Sequence, residues 1–288
     1  MTAEIAQFVL NGLMSGAMLA VPALGFNAIY AVLRFPNFAV GGIATVGAYA
    51  GYVANVGLGA AVAPSLAAAF VVGGIVGVVC DEASLRRLRP AGPLAAAIAS
   101  VALNIVLENV VRFAFGNDLR SYDLPIFRDW RIGALRLGPQ QAANAGCALV
   151  VMVALFAFLL LTRTGKTMRA VADNAALAGL KGINAAVVAR VATFVGMGLA
   201  GLGGMLIALD SSIDPLTGFD VMLAVFAACV VGGLGSIPGA VAGAFAVGLA
   251  EELSVLVLPP SYRSAVGFLA ILLVLSLRPT GLLGVRDA

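Results

Sequence analysis

The chain of 288 residues contains no histidine, one tryptophan and three cysteines. Without histidine it lacks the commonest metal ligand and the side chain most often used for acid–base catalysis near neutral pH. Cys80, Cys147 and Cys229 lie far apart, in or at the ends of apolar segments, and do not have the spacing of metal ligands. We interpret them as small buried thiols. The sequence therefore predicts no catalytic residue set and no metal site.

Charged residues are also scarce. They make up 11% of the chain, whereas hydrophobic residues make up 61% and the mean hydropathy is +1.05. Soluble domains contain about 25% charged and 45–50% apolar residues, so this composition indicates a protein that resides in a lipid bilayer. The formal net charge is only +3, and no basic patch is interleaved with aromatic residues, so nothing indicates a nucleic-acid partner.

Apolar runs divide the chain into nine segments. A helix needs about 20 residues to cross the hydrocarbon core, and continuous Ala, Val, Leu and Gly runs favour helices over barrel strands. We therefore predict an all-α fold: a polytopic transmembrane helical bundle of eight to nine membrane segments, forming a single domain over residues 1–288. Two short segments with nearby glycines, 38–54 and 221–234, are predicted to be broken or re-entrant helices. The nine segments are 5–31, 38–54, 60–80, 94–115, 142–161, 191–209, 221–234, 240–258 and 265–277.

Residues 162–190, here called the central segment, form the longest polar stretch that keeps a helical pattern (TRTGKTMRAVADNAALAGLKGINAAVVAR). The segment holds five of the 17 basic residues, so the positive-inside rule places it in the cytoplasm. Its pattern alone allows two interpretations. It is a docking site for another protein, or it is a solvated or headgroup-bound connector.

The pattern predicts one short amphipathic helix within the central segment. Gly182 is predicted to end this helix, and Asn184 to cap the apolar helix that follows. The apolar face comprises Met168, Val171, Ala175 and Ala178, and the charged face comprises Lys166, Arg169 and Asp173.

Several stretches resemble one family. They are TRTGKTMRAVADNAALAGLKGIN with the later FVGMGLAGLGGMLIAL, GFNAIYAVLRFPNFAVGGIATVGAYAGY near the start, AVFAACVVGGLGSIPGAVAGAFAVGLAE near the end, and the closing RPTGLLG. Taken in the order in which they occur along the chain, they are similar to permeases of branched-chain amino acid ABC importers, of the high-affinity leucine/isoleucine/valine type. The resemblance implies that the central segment docks into a groove of a cytoplasmic ATPase. The ATPase-coupling residues assigned on this basis are Arg163, Thr164, Gly165, Arg169, Ala170, Asp173, Leu180, Gly182 and Asn184.

The resemblance also implies a translocation path through the glycine-rich stretches. The sequence FPNFAVG matches the family's I-N-F-A-H-G pattern at Asn37 and Gly41, but Val40 replaces the usual histidine, so this chain has no imidazole at that position. Polar residues within a span, such as Asn104 and Glu108, usually face a bundle interior or a cavity. The residues assigned to the path are Asn37, Gly41, Gly42, Gly47, Asn104, Glu108, Gly232, Gly233, Gly235, Ser236, Pro238 and Gly239.

Each of these features also has a purely structural interpretation. The glycines of 41–47 allow close helix packing. Residues 232–239 cannot continue a regular helix, and they form either a kink in the path or a tight turn at a membrane face. Glu108 and Arg112 are spaced to pair on one helix face, and near a span end they can be a snorkelling structural pair.

The tripeptide Gly165-Lys166-Thr167 is not a P-loop, because Leu160 occupies the position of the first glycine that this motif requires. We therefore expect no ATPase site in this chain, which is not an enzyme, and no cofactor of its own; ATP is bound by partner subunits. The resemblance implies an assembly with two cytoplasmic ATP-binding subunits, a second permease chain (identical or related) and an extracytoplasmic substrate-binding protein.

Nine crossings with the central segment inside would place the N-terminus outside and the C-terminus in the cytoplasm, in a bacterial inner membrane. The loop 116–141 is then external. It carries four arginines and three aspartates, which suggests a small folded cap. Such a cap could meet an extracytoplasmic partner or serve as a solvated connector.

We predict a transmembrane permease subunit of an ATP-driven importer that moves branched-chain or related amino acids by alternating access. Two alternatives stay open. One is a permease of the same family for urea, amides or other small polar solutes. The other is an ion-coupled secondary transporter or channel, for which Glu108 and Arg112 would supply the intramembrane charges.

Overall fold

A computed structural model describes residues 2–125, 130–132, 135–259, 262–278 and 280–284. The regular secondary structure of these residues is helical, apart from one two-stranded antiparallel hairpin of β1 (Trp130–Ile132) and β2 (Leu135–Leu137) and an isolated β-bridge between Arg120 and Ile213. The helices in chain order are α1 (Thr2–Leu33), α2 (Val40–Tyr52), α3 (Val62–Cys80), α4 (Arg86–Leu88), α5 (Pro93–Phe115), α6 (Pro139–Leu161), α7 (Arg163–Asp173), α8 (Ala175–Leu180), α9 (Ala185–Asp210), α10 (Thr217–Gly232), α11 (Ile237–Ser254) and α12 (Arg263–Leu277).

The all-α polytopic fold is confirmed. Six helical stretches in the described part of the chain are long and apolar enough to cross a bilayer, and α10 and α12 add two shorter apolar helices. The predicted irregular segments correspond to α2, which has 13 residues and continues as a π-helical turn over Val53–Gly57, and to the 16-residue α10. Whether eight or nine segments span the membrane fully stays a prediction. The six long stretches are Glu4–Leu33, Val62–Ala91, Pro93–Phe115, Pro139–Leu161, Ala185–Asp210 and Ile237–Ser254.

Helix α1 lies at the centre of the bundle and packs along α9 and α11. A β-carbon added to Gly25 would lie 2.3 Å from the carbonyl oxygen of Gly196 on α9, and one added to Gly16 would lie 2.9 Å from Phe245 Cα on α11. Such small residues let helix backbones approach closely where lipid offers no hydrophobic driving force. The glycines of α1 therefore let α9 and α11 pack directly against its backbone.

One end of the bundle, here called the hairpin end, carries β1 and β2. Gln7 near the start of α1 donates its Nε2–H to the Arg136 carbonyl at 2.9 Å, and Arg120 donates to the Tyr52 hydroxyl at 3.1 Å. The loop that follows α5 therefore rests on the first turns of α1 and on the end of α2.

The opposite end, here called the basic end, carries α7 and α8. Arg34, just after α1, donates to the Ala172 carbonyl of α7 at 2.6 Å, and Arg190 of α9 pairs with Glu82 at 2.6 Å. Basic residues are concentrated at the helix ends and connections of this side. They are Arg34, Arg86, Arg87, Arg89, Arg163, Lys166, Arg169, Lys181, Arg190 and Arg278.

Candidate functional site

Thr162 and Gly165 build the sharp entry into α7 at the basic end. Thr162 caps the helix by accepting the Gly165 N–H at 3.0 Å, and its hydroxyl donates to the Phe158 carbonyl at 2.6 Å. A β-carbon on Gly165 would lie 2.3 Å from the same carbonyl oxygen. Only glycine therefore lets α7 pack directly on the end of α6.

The central segment forms two helices, so the prediction of a single amphipathic helix was wrong. Asn174 interrupts the helix and caps α8 by accepting the Leu177 N–H at 3.0 Å. Met168 and Val171 are buried as predicted, whereas Ala175 is exposed. Ala175 begins α8 and no longer belongs to the face of α7, because the cap of Asn174 competes with a continuous helix.

The predicted helix boundaries after α8 are confirmed. Gly182 has φ +81°, a left-handed conformation that glycine adopts without steric cost. Asn184 caps α9 by accepting the N–H groups of Ala186 at 3.0 Å and Val187 at 3.3 Å. These two residues set the direction in which the chain returns into the membrane.

Most of the residues assigned to ATPase docking lie on the surface of the basic end. Gly165 is buried and Ala170 is half-buried, so these two contribute little to that surface. Helix α8 also exposes Leu177, at 60%, beside Leu180, at 84%. Leu177 was not assigned to the proposed docking surface from the sequence, although its spacing of three from Leu180 was visible there. The exposed residues of the assigned set are Arg163, Thr164, Arg169, Asp173, Leu180, Gly182 and Asn184.

Asn104 lies in the buried contact region between α2, α5 and α10, here called the seam. The seam comprises Gly41, Gly42, Asn104, Glu108 and Gly218. Asn104 Oδ1 accepts the N–H of Gly42 on α2, and its Nδ2–H donates to Glu108 Oε1 at 2.9 Å. A β-carbon on Gly41 would lie 2.3 Å from the carbonyl of Gly218 on α10. Farther along α2, a β-carbon on Gly47 would lie 2.3 Å from Gly201 Cα on α9. In this conformation the seam is closed by direct backbone contact.

Asn37 precedes the seam at the start of α2. It is buried, and its Oδ1 accepts the N–H of Ala39 at 3.1 Å. Of the residues assigned to the path, six therefore lie on or beside the closed seam: Asn37, Gly41, Gly42, Gly47, Asn104 and Glu108.

Glu108 and Arg112 do not pair, contrary to the expectation from their spacing. Arg112 donates its Nε–H to Asn117 Oδ1 at 2.8 Å. Gly116, with φ +84°, turns the chain back at the end of α5 and brings Asn117 within reach. Glu108 is held by Asn104 instead, because both side chains are buried in the seam.

Residues 232–239 form a tight turn between α10 and α11 at the basic end. Gly233 and Gly235 have φ +112° and +83°. Ser236 caps α11 by accepting the Gly239 N–H at 3.2 Å, and Pro238 lies in the first turn of that helix. Gly232 contacts Gly239 so closely that a β-carbon on it would lie 1.9 Å from that carbonyl oxygen.

The fully buried Asn27 of α1 holds this turn in place. Its Nδ2 donates to the carbonyls of Gly233 at 3.2 Å and Ser236 at 2.9 Å, and its Oδ1 accepts the Gly235 N–H at 3.1 Å. Asn27 was not among the residues singled out from the sequence. The signal for it was an amide within a long apolar span, where an unsatisfied polar group is costly.

The first part of the 116–141 loop is folded onto the hairpin end. Tyr122 is buried and donates its hydroxyl to the Ala48 carbonyl at 2.9 Å, and Asn55 accepts the Asp123 N–H at 2.9 Å. Burial raises the pKa of Tyr122, so the hydroxyl remains a hydrogen-bond donor. The parts 126–129 and 133–134 of this loop lie outside the described residues.

A cavity of about 430 Å³ opens at the hairpin end between α1, α6, α9, α10, α11 and α12. Arg263 pairs with Glu252 and lies 3.8 Å from Glu251, and the other two carboxylates are Asp210 and Asp220. Amide and hydroxyl groups complete the polar lining. The cavity can therefore hold a small solute that carries charge. Its neutral polar side chains are Asn11, Ser15, Gln141, Ser211 and Thr217.

None of the residues of this cavity was assigned to a site from the sequence. They come from helices far apart in the chain, from Asn11 to Phe268. The only signal was the pair Glu251 and Glu252, late in an apolar segment.

Comparison with known proteins gives one family. The family described as "Branched-chain amino acid transport system / permease component" matches residues 8–275. The chain is 32% identical to the high-affinity branched-chain amino acid transport system permease protein LivH of Escherichia coli (strain K12), over 96% of this chain and 95% of that protein. It is 29% identical to the permease protein BraD of Pseudomonas aeruginosa, over the same shares of the two chains.

A more distant relative and one solved structure extend this picture. The chain is 28% identical to the probable branched-chain amino acid transport permease protein LivH of Methanocaldococcus jannaschii, over 93% of this chain and 89% of that protein. The solved structure of PsaBC from Streptococcus pneumoniae in complex with Fab has a TM-score of 0.52 and 15% identity, and the match covers 96% of this chain and 95% of that one. This likeness concerns the fold alone.

Proposed function

Because the chain belongs to the family of branched-chain amino acid transport system permease components, we propose that it carries branched-chain or related amino acids through the inner membrane of a bacterium, driven by ATP hydrolysis on separate subunits. The observation that carries the proposal is the surface of the basic end, which fits the docking of a separate ATPase as expected for a permease of this family. There, α7 and α8 lie outside the apolar spans and expose charged residues beside Leu177 and Leu180. Such a surface suits a protein partner better than a lipid core.

The proposed assembly has two permease chains, two cytoplasmic ATPases and an extracytoplasmic binding protein. The basic end would face the cytoplasm, since arginines and lysines are retained on that side. The N-terminus and the hairpin end would then face outside, and the described part of the C-terminal segment would lie inside. Leu282 supports this last point, because its N–H donates to the Val231 carbonyl of α10 at 2.8 Å, at the basic end.

We assign the cavity at the hairpin end to the outer mouth of the path. Arg263 and the carboxylates around it present both signs of charge that a zwitterionic amino acid carries. The seam around Asn104 and the turn at Gly233 would be the closed parts of the path in this conformation. Movement of α7 and α8 by the ATPase would open them and close the outer mouth, which is alternating access.

Purification of the tagged chain from its native membrane in mild detergent tests this proposal. We expect an ATPase and a binding protein to co-purify, and proteoliposomes of the complex to take up radiolabelled leucine only with ATP on the ATPase side. Competition by isoleucine, valine, urea and acetamide would then define the solute class. A chain that purifies alone in several detergents, with uptake driven by an ion gradient, would overturn the proposal in favour of a secondary transporter.

A further inference from the structure

Arg34 directly follows α1 and has a backbone conformation that arginine rarely adopts. Its φ is +57°, and it is the one non-glycine residue with positive φ among the described residues. Its N–H donates to the Tyr30 carbonyl at 2.8 Å, which is the left-handed cap that glycine usually supplies. A side chain makes this conformation less favourable, so the arginine at this position requires a reason.

The side chain of Arg34 makes a contact that glycine could not make. Its Nη2–H donates at 2.6 Å to the carbonyl of Ala172, which is 138 residues away in sequence. Ala172 lies in the last turn of α7, where carbonyl groups lack helical partners and the helix dipole favours a cation. Within the described part of the chain, this is the only side-chain hydrogen bond that joins a residue of α7 to a residue outside the helix, apart from the bond of Gly165 N–H to the N-cap Thr162.

The residue after Arg34 anchors the same joint to two further helices. Phe35 is buried and packs with Leu85, which follows α3, and with Ala96 at the start of α5. The guanidinium of Arg89 lies 5.6 Å from the centre of the Phe35 ring. The joint between α1 and α2 therefore connects α7 with the ends of α1, α3 and α5.

We propose that Arg34 is a positioning residue for energy coupling, which ties the C-terminal end of α7 to α1. A displacement of α7 by the ATPase would be passed through this hydrogen bond to α1, and from α1 to α9 and α11, which pack along it. The inference rests on the proposed function. It adds a residue outside the central segment to the coupling machinery.

Three variants separate the hydrogen bond from the backbone. Arg34→Gly removes the donor and relieves the left-handed strain, Arg34→Ala removes the donor and keeps the strain, and Arg34→Lys keeps a donor. Arg87→Ala is the matched control, because it removes one exposed positive charge at the same end from a side chain that does not hold α7. Each is purified as the full complex and placed in proteoliposomes, and leucine uptake and ATP hydrolysis are measured in the same vesicles.

For Arg34→Gly and Arg34→Ala we expect ATP hydrolysis to continue while the leucine transported per ATP falls by about three- to tenfold, which lies within the range of about two- to thirtyfold for mutations that alter coupling. Arg34→Lys should recover part of the ratio, and Arg87→Ala should keep the wild-type ratio. A wild-type ratio in Arg34→Gly overturns the inference, because the side chain is then dispensable. A parallel loss of uptake and hydrolysis in Arg34→Gly also overturns it, because the leucine transported per ATP is then unchanged and the contact serves assembly rather than coupling. A wild-type complex without ATP-driven uptake would instead refute the proposed function, and the role of Arg34 with it.

Discussion

Asn104 donates its side-chain N–H to Glu108 at 2.9 Å, one turn farther along α5, in a part of the bundle where both residues are buried. The same amide accepts the N–H of Gly42 from α2. One neutral side chain thus satisfies a carboxyl group and a backbone group from two helices. This makes the seam sensitive to the loss of a single residue.

Replacing Asn104 with leucine should destabilise the protein, because Glu108 and the Gly42 N–H then lack a partner. An unsatisfied buried polar group costs about 1–3 kcal/mol, so the midpoint of thermal unfolding in detergent should fall. Asn109→Leu is the control on the same helix, since Asn109 is exposed and bonds only the Ile105 carbonyl of its own turn, at 2.8 Å. Equal losses in both variants would contradict a special role of the seam.

Gly41→Ala should separate α2 from α10. The new β-carbon would lie 2.3 Å from the Gly218 carbonyl, and overpacking of this kind typically costs about 1–3 kcal/mol. Gly146→Ala on α6 is the control, because the methyl group that it adds would meet no atom within 4 Å and alanine favours helix. We expect a lower unfolding temperature for Gly41→Ala and an unchanged or higher one for Gly146→Ala. The reverse order would show that the contact yields easily.

The two glycines of the turn between α10 and α11 should respond differently to alanine. Both need positive φ, which costs other residues about 1–2 kcal/mol. A β-carbon on Gly233 would also lie 2.5 Å from Gly284 N, whereas on Gly235 the nearest neighbour is the Tyr30 ring at 3.6 Å. We therefore expect Gly233→Ala to reduce leucine uptake more than Gly235→Ala, at equal protein levels in the membrane.

Replacing Gly233 and Gly235 together by leucine should block leucine uptake, since the turn could then form neither its backbone conformation nor its contact with Gly284. Full uptake in the double variant would indicate a simple surface turn without a role in the path. Protein abundance in the membrane has to be measured alongside uptake.

Charge reversal on α7 tests the docking of the ATPase. Arg169→Glu and Asp173→Lys should each lower the amount of ATPase that co-purifies, by about tenfold or more, because a like-charge contact at an interface costs several kcal/mol. The chain should still reach the membrane, since both side chains are exposed and neither holds α7 in place. Arg131→Glu is the control, as Arg131 is exposed at the hairpin end. Wild-type recovery of the ATPase and normal uptake in both variants would remove these residues from the docking surface.

Features that depend on neighbouring residues were predictable. The apolar segment 94–115 corresponds to α5 (Pro93–Phe115), and the end of 142–161 coincides with the end of α6 at Leu161. Gly182 and Asn184 were assigned correctly because a left-handed stop and an N-cap are properties of one turn of chain. The break at Asn174 was not predicted, since helical periodicity continues across a single capping residue.

The sequence by itself determined that the chain is a helical membrane protein and where most of its helices begin and end, because hydropathy, helix length and capping are local properties. Only the tertiary structure decided which polar groups meet. Asn27 is 206 residues from Gly233, and Arg34 is 138 residues from Ala172. Such pairs depend on how distant helices cross, and those crossings are set by close backbone contacts at glycines throughout the bundle.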